Sequence, residues 1–202
     1  MKAIRDKRIP ILLAIVPLVY VGLPVLILLG VIAFDLKFYA LTIGGVFTYV
    51  VFRILGFTNQ ELGITLKGAG RSLLRVLPIT VILVAVAAAL FFTGNTSFNP
   101  TENWAFYVFY VLISCPVQEF LYRGALTVFG DALKFPMWGT LILTSVLYSF
   151  VHIIYLDWLT LVFTLVMGVI WFIAYNKARS LVGVSVSHAV LGVVTIAAGI
   201  ID

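Results

Sequence analysis

The sequence predicts an all-α membrane protein: a polytopic bundle of about seven transmembrane helices forming one integral domain over residues 1–202. Composition is the first reason, because the chain is 63% hydrophobic and only 10% charged, with a mean hydropathy of +1.18. No soluble domain of this length could bury so much apolar surface. The second reason is spacing, since apolar stretches near the ~20 residues needed to cross a bilayer alternate with short polar turns. The net charge of +5 is the third, because its basic residues are spread over several short loops with no basic arm. That pattern fits sidedness in a membrane and argues against a nucleic-acid partner. Cys115 is the only cysteine, which excludes intrachain disulfides and cysteine-based metal sites and leaves a small packing residue beside Pro116.

The first span is expected from Ile9 to Phe34, after a short basic segment carrying Lys2, Arg5, Lys7 and Arg8. Its apolar run is too long for a signal-peptide core and no cleavage site is obvious, so it reads as a retained span. A turn at Asp35-Leu36-Lys37 leads to a second span, about Phe38 to Phe57, with Arg53 near its end, where it can snorkel. From Thr58 to Arg75 polar residues alternate with Leu62, Ile64, Leu66, Leu73 and Leu74, predicting an interfacial loop or amphipathic surface helix. A third span follows from about Leu77 to Phe92, and then a polar segment, Gly94 to Asn103, that contains no Lys or Arg.

Span four, about Trp104 to Phe129, holds Pro116, which removes one helical hydrogen bond and is expected to kink the helix beside Gln118 and Glu119. Span five is expected from Pro136 to Tyr155, span six from Trp158 to Tyr175, and span seven from Leu181 onward. This arrangement puts the basic tail, Lys67, Arg71, Arg75, Lys134, Lys177 and Arg179 on one side. Asp35, Lys37, Glu102, Asp157 and Asp202 fall on the other, so the positive-inside rule makes the N-terminus cytoplasmic and the C-terminus external. Short loops and a short basic start suit a prokaryotic inner membrane, with lipids as the first partners.

The chemistry lies in the spans. Glu119 and Arg123 are four apart and can pair on one helical face, and charges at membrane depth mark a functional site by default. A structural ion pair between helices is the plain alternative. The chain's two histidines, His152 and His188, also fall within spans. With Glu119 they supply nitrogen and oxygen donors suited to Zn2+ or another divalent metal, and the same groups could orient a water and carry its proton without one.

Three stretches resemble the motifs of the CAAX protease and bacteriocin-processing enzymes, the CPBP or Abi family. Gln118-Glu119-Phe120-Leu121-Tyr122-Arg123-Gly124 resembles the first, written E-E-x-x-x-R. Tyr148-Ser149-Phe150-Val151-His152 resembles the second, F-x-x-x-H, and Ser187-His188-Ala189-Val190-Leu191-Gly192 the third, a His followed four residues later by Asn or Asp. The resemblance covers the motif-bearing core, residues 101–202. It implies an intramembrane protease with an all-helical core and an active site open to the cytoplasmic side, acting on a membrane-associated peptide or protein. Carried over by position, Glu119 is the second Glu, Arg123 the Arg, and His152 and His188 the two histidines around a catalytic water. The family's mechanism is either a metalloprotease's or a metal-free, glutamate-based one. The metal ligands implied are Glu119, His152 and His188.

Three positions depart from the pattern. Gln118 replaces the first Glu and can orient water through its carbonyl but cannot take its proton. Tyr148 replaces Phe, and Gly192 replaces the Asn or Asp that could bind an oxyanion. Glu119 then serves as the base, or the chain is a non-catalytic relative that keeps the fold to bind or assemble other membrane proteins. A proton-relay transporter is the third reading, weakened by the lack of repeated halves. At about 1.5 Å rise per residue, Glu119 and His188 lie roughly 15 and 10 Å into their spans but His152 roughly 24 Å. The three meet only if span five starts later than Pro136, tilts strongly or enters by a re-entrant turn, and the late start, with Pro136 to Trp138 at the interface, is the expectation.

Overall fold

The computed structural model describes residues 2–98 and 102–200, with side chains from position 9 onward. Asn99, Pro100, Thr101 and Asp202, and the side chains of Lys2, Arg5, Lys7 and Arg8, lie outside the described residues. Every regular element among the described residues is helical, with no strand. Six helices are long and apolar enough to cross a membrane: α1 (Ile9–Leu28), α2 (Phe34–Ile54), α3 (Ala69–Phe92), α4 (Trp104–Ala132), α5 (Met137–Tyr155) and α6 (Trp158–Ala178). The seventh expected segment is the shorter apolar helix α7 (Val182–Ala197). The bundle leaves Leu18, Ile43, Ile54, Leu74 and Leu112 exposed on its outside, the surface a lipid phase covers.

Two expected boundaries move for local reasons. α1 stops at Leu28, six residues before Phe34, because Gly30 takes a left-handed conformation (φ +71°) that ends the helix and turns the chain. The amphipathic stretch expected on the membrane surface is two different things. Its second part, from Ala69, forms the first two turns of α3, so Arg71 and Arg75 stand on a spanning helix. Its first part, Thr58 to Gly68, is a folded loop that reaches under the bundle, with Leu62 fully buried. The loop is tied to the start of α7: Leu181 donates its N–H to the Gly63 carbonyl at 3.0 Å and the Ser180 hydroxyl donates to the Thr65 carbonyl at 2.8 Å.

Close backbone approach holds α3 to α7. A Cβ at Gly183 would overlap backbone atoms of Ser72 and Leu73, so only glycine lets the two helices come this near. Ser72 uses the approach, its hydroxyl donating to the Ser180 carbonyl at 2.9 Å while its oxygen accepts the Gly183 N–H at 3.1 Å.

Asp157 caps α6. Its carboxylate accepts the N–H groups of Leu159 and Thr160 and the Thr160 hydroxyl, satisfying donors a helix start otherwise leaves unpaired. The Thr160 hydroxyl, and then the backbone N–H groups, hold the Asp157 carboxyl below its ordinary value. A depressed carboxyl stabilises the fold above its unfolded pKa and loses that contribution as pH falls through the folded one. Hydrogen exchange at Leu159 and Thr160 is therefore expected to speed up only below the usual carboxylate range. In Asp157→Ala exchange there is expected to be fast at neutral pH too, and equal protection in the two proteins would contradict the cap.

Candidate active site

Glu119 sits on α4 at the centre of the bundle, where the helix is irregular. Wide π-helical turns at Tyr110–Ser114 and Phe120–Ala125 flank the α-helical Cys115–Glu119, which contains Pro116. Proline has no N–H to continue the ladder, and π-turns of this kind concentrate at functional sites. The irregularity turns Gln118, Glu119 and Arg123 toward the interior, all of them buried.

Glu119 is fully buried, and its Oε1 accepts from two donors. Arg123 Nη1 donates at 3.2 Å, and His188 Nδ1, from α7, donates at 2.8 Å. With Nδ1 protonated, the neutral imidazole has Nε2 as its acceptor, and the Tyr148 hydroxyl faces it at 3.4 Å. Trp171 stacks on the His188 ring with centroids 4.8 Å apart. The indole is itself fixed, because its Nε1–H donates to Ser187 Oγ at 3.0 Å and Ser187 contacts Thr80 Oγ1 at 2.7 Å. The Arg123 guanidinium lies 4.1 Å from the Tyr148 ring centroid and 5.1 Å from that of Trp171, so the cation meets π-faces as well as a carboxylate. Glu119 Oε2 and Arg123 Nε and Nη2 are buried without a protein partner, which leaves hydrogen-bonding capacity for water inside the site.

A cavity of about 430 Å³ adjoins this cluster. Gln118, Tyr148, His152 and His188 supply polar groups to its wall, which is otherwise mostly apolar and aromatic. Gln118 Nε2 donates to Ser114 Oγ at 3.1 Å, which leaves its carbonyl oxygen for the cavity. Glu119 stands behind His188 rather than in the lining.

His152 is placed apart from this network. α5 begins at Met137, one residue after Pro136, with Met137 and Trp138 exposed. That small delay does not offset the axial rise, and His152 falls in the 3-10 turn Val151–Tyr155 that ends the helix. Its Nδ1 donates to the Tyr148 carbonyl at 2.8 Å and its ring packs edge-on to Tyr148 at 5.0 Å. It shares the cavity with His188 but has no hydrogen bond to Glu119 or His188. Among the described residues no group of three or more His, Cys, Asp or Glu side chains is placed to hold a metal ion. No step below is routed through a metal ion.

Reading the sequence missed Trp171 and Tyr110, each distant in the chain from the residue it serves. Tyr110 explains Gly192. A Cβ at position 192 would overlap the Tyr110 hydroxyl and ring, so the tyrosine of α4 fills the space that a motif-three side chain would need. Gly192→Asn is expected to destabilise the protein by about 1–3 kcal/mol through overpacking, and Tyr110→Ala in the same chain to recover much of the loss. Thermal unfolding in detergent measures both, and additive losses would contradict the shared space.

A family model described as type II CAAX prenyl endopeptidase, Rce1-like, matches residues 100–194. That segment holds all three motifs and agrees with the resemblance drawn from them. Neither the curated proteins nor the solved structures give a match.

Proposed function

We propose, on the premise that residues 100–194 are a CAAX prenyl endopeptidase-like core, that this integral membrane protein hydrolyses a peptide bond in a membrane-associated peptide or protein, of which a prenylated C-terminal segment is one candidate. The observation that carries the reading is the Glu119–His188 pair, with the far side of the imidazole turned to a cavity in the middle of the bundle. His188 Nε2 takes a proton from a water that the Gln118 carbonyl oxygen helps to orient. The hydroxide oxygen adds to the scissile carbonyl carbon, and the Tyr148 hydroxyl donates to the resulting oxyanion. His188 then returns the proton to the leaving amine as the C–N bond breaks. Glu119 fixes the Nδ1–H tautomer and balances the imidazolium, so its expected role as base is exercised through His188, and Arg123 holds the carboxylate in place. His152 contributes a polar group to the cavity wall, and the apolar remainder suits a lipid-bearing peptide.

A non-catalytic role as a binding or assembly factor is favoured by one specific observation: the Glu119 oxygen facing His188 is already shared with Arg123 in a fully buried pair. The two readings separate on His188→Ala. In lipid vesicles holding the purified protein, cleavage of a prenylated or acylated peptide is followed by mass spectrometry. Wild type is expected to cleave and His188→Ala to lose the activity while keeping its unfolding transition. Equal cleavage by both would remove His188 from the chemistry.

A further inference from the structure

We infer that the basic end of the bundle holds an anionic phospholipid, with its phosphodiester headgroup at Lys67 and Arg71 and an acyl chain in the groove between α2, α4 and α7. These surfaces share no lining residue with the central cavity, and the inference does not depend on the peptidase reading. The first observation is a separate cavity of about 860 Å³, where the start of α3 meets the ends of α4 and α6 and the Thr58 to Gly68 loop. Its wall carries Lys67, Arg71 and Arg179 against Glu61 and Asp131. Both carboxylates are engaged. Asp131 Oδ2 accepts from Arg179 Nη1 at 2.8 Å, and Glu61 Oε2 accepts the N–H and the hydroxyl of Thr58, each at 2.7 Å. Lys67 and Arg71 are exposed and pair with no carboxylate among the described residues. The start of α3 adds to their charge, because no side chain caps it and the first N–H groups of a helix are partly positive.

The second observation is depth. Leu74, Leu77 and Val81, all exposed, follow Arg71 along the outer face of α3. Hydrocarbon therefore begins within about one helical turn of the arginine, and the two cations stand at the level of the lipid phosphates.

The third is an apolar hollow of about 850 Å³ that begins at the same loop, with Thr65 lining both spaces. Gly45 of α2, Val117 of α4, and Ser185 and Ala189 of α7 line it, and Leu112 and Val186 on its wall are exposed. From Val182 to Ala189 it follows α7 for roughly 10 Å at 1.5 Å per residue, inside the ~15 Å of hydrocarbon in one leaflet. An anion site joined to an apolar hollow of that depth matches an amphiphile with a negative head rather than a soluble phosphate. Basic pockets between helices at a membrane surface take such headgroups.

The test is native mass spectrometry of the purified chain released from detergent micelles, titrated with dioleoyl phosphatidylglycerol or dioleoyl phosphatidylcholine. The expected result is one retained phosphatidylglycerol, half-saturating at a concentration about tenfold below that of phosphatidylcholine, since each cation near the surface favours an anionic lipid by a few-fold. The double variant Lys67→Gln, Arg71→Gln is expected to lose this preference. The control double variant Lys134→Gln, Lys177→Gln removes the same charge outside the cavity and is expected to keep it. Ser185→Phe fills the hollow and is expected to weaken retention of both lipids. Thermal unfolding gives a second reading: phosphatidylglycerol vesicles should raise the midpoint of the wild type above that in phosphatidylcholine, and not that of the Lys67, Arg71 double variant. Equal retention of the two lipids by wild type, or an equal loss in the control variant, overturns the inference. Displacement of the lipid by excess inorganic phosphate would make this a site for the free anion, undiminished binding in Ser185→Phe would empty the hollow of its acyl chain, and a dimer mass without lipid would give the groove to a second copy. Each of these also overturns it.

Discussion

Glu119→Gln is expected to leave the chain folded and to lower hydrolysis by about 10²–10⁴-fold, the range associated with losing a positioned acid–base pair or its orienting carboxylate. The amide still accepts a hydrogen bond from Arg123 through its oxygen, so the packing around Arg123, Tyr148 and Trp171 survives. The charge opposite His188 Nδ1 does not. Without it, no carboxylate fixes which ring nitrogen carries the proton, and no charge balances the imidazolium formed when water is deprotonated. The loss is expected in kcat, with KM little changed, because Glu119 does not line the cavity where the peptide binds. Glu119→Asp keeps the charge on a shorter arm and should recover part of the rate. A Glu119→Gln protein with undiminished kcat would show that the Glu119–His188 bond at 2.8 Å is structural.

Arg123→Leu is expected to produce the largest loss of stability, about 3–5 kcal/mol, the cost of stranding one member of a buried ion pair. Arg123 is 1% exposed and Glu119 is fully buried, so little water can reach the carboxylate once the guanidinium is gone. His188 keeps its hydrogen bond to Glu119 Oε1, which does not replace the permanent charge of the guanidinium. The diagnostic variant is the double one: adding Glu119→Gln removes the uncompensated charge and should make the protein more stable than Arg123→Leu alone. Coupling of this sign between contacting residues is read directly from a double-mutant cycle. Strictly additive losses would mean that Arg123 stabilises the bundle through its faces on Tyr148 and Trp171, independently of Glu119.

The helical bundle and half of the site could be read from the chain. Length and hydropathy locate spans well, because a bilayer admits few alternatives to a closed helix, and the Glu119–Arg123 pair follows from i,i+4 spacing alone. Boundaries were harder. Alternating polarity from Thr58 to Arg75 does not distinguish a surface helix from a folded loop followed by a helix start. Gly63 and Gly68, at φ +75° and +84°, decide for the loop. Helical rise puts His152 deeper than Glu119, and the late start of span five expected to bring them together is not what occurs: α5 begins at Met137 and His152 stays at its end. Tyr110 and Gly192 show the reverse limit: nothing local to either residue signals that one occupies the other's side-chain space.

The most direct test of the account is cleavage of a membrane-anchored peptide in H2 18O by the purified, vesicle-embedded chain. The expected result is a new C-terminal carboxylate carrying one 18O atom in the wild-type product, with no product from His188→Ala. Product formation that is independent of His188, or a folded wild-type chain that yields no 18O-labelled product from any anchored peptide, would contradict the claim that the Glu119–His188 pair activates water for hydrolysis.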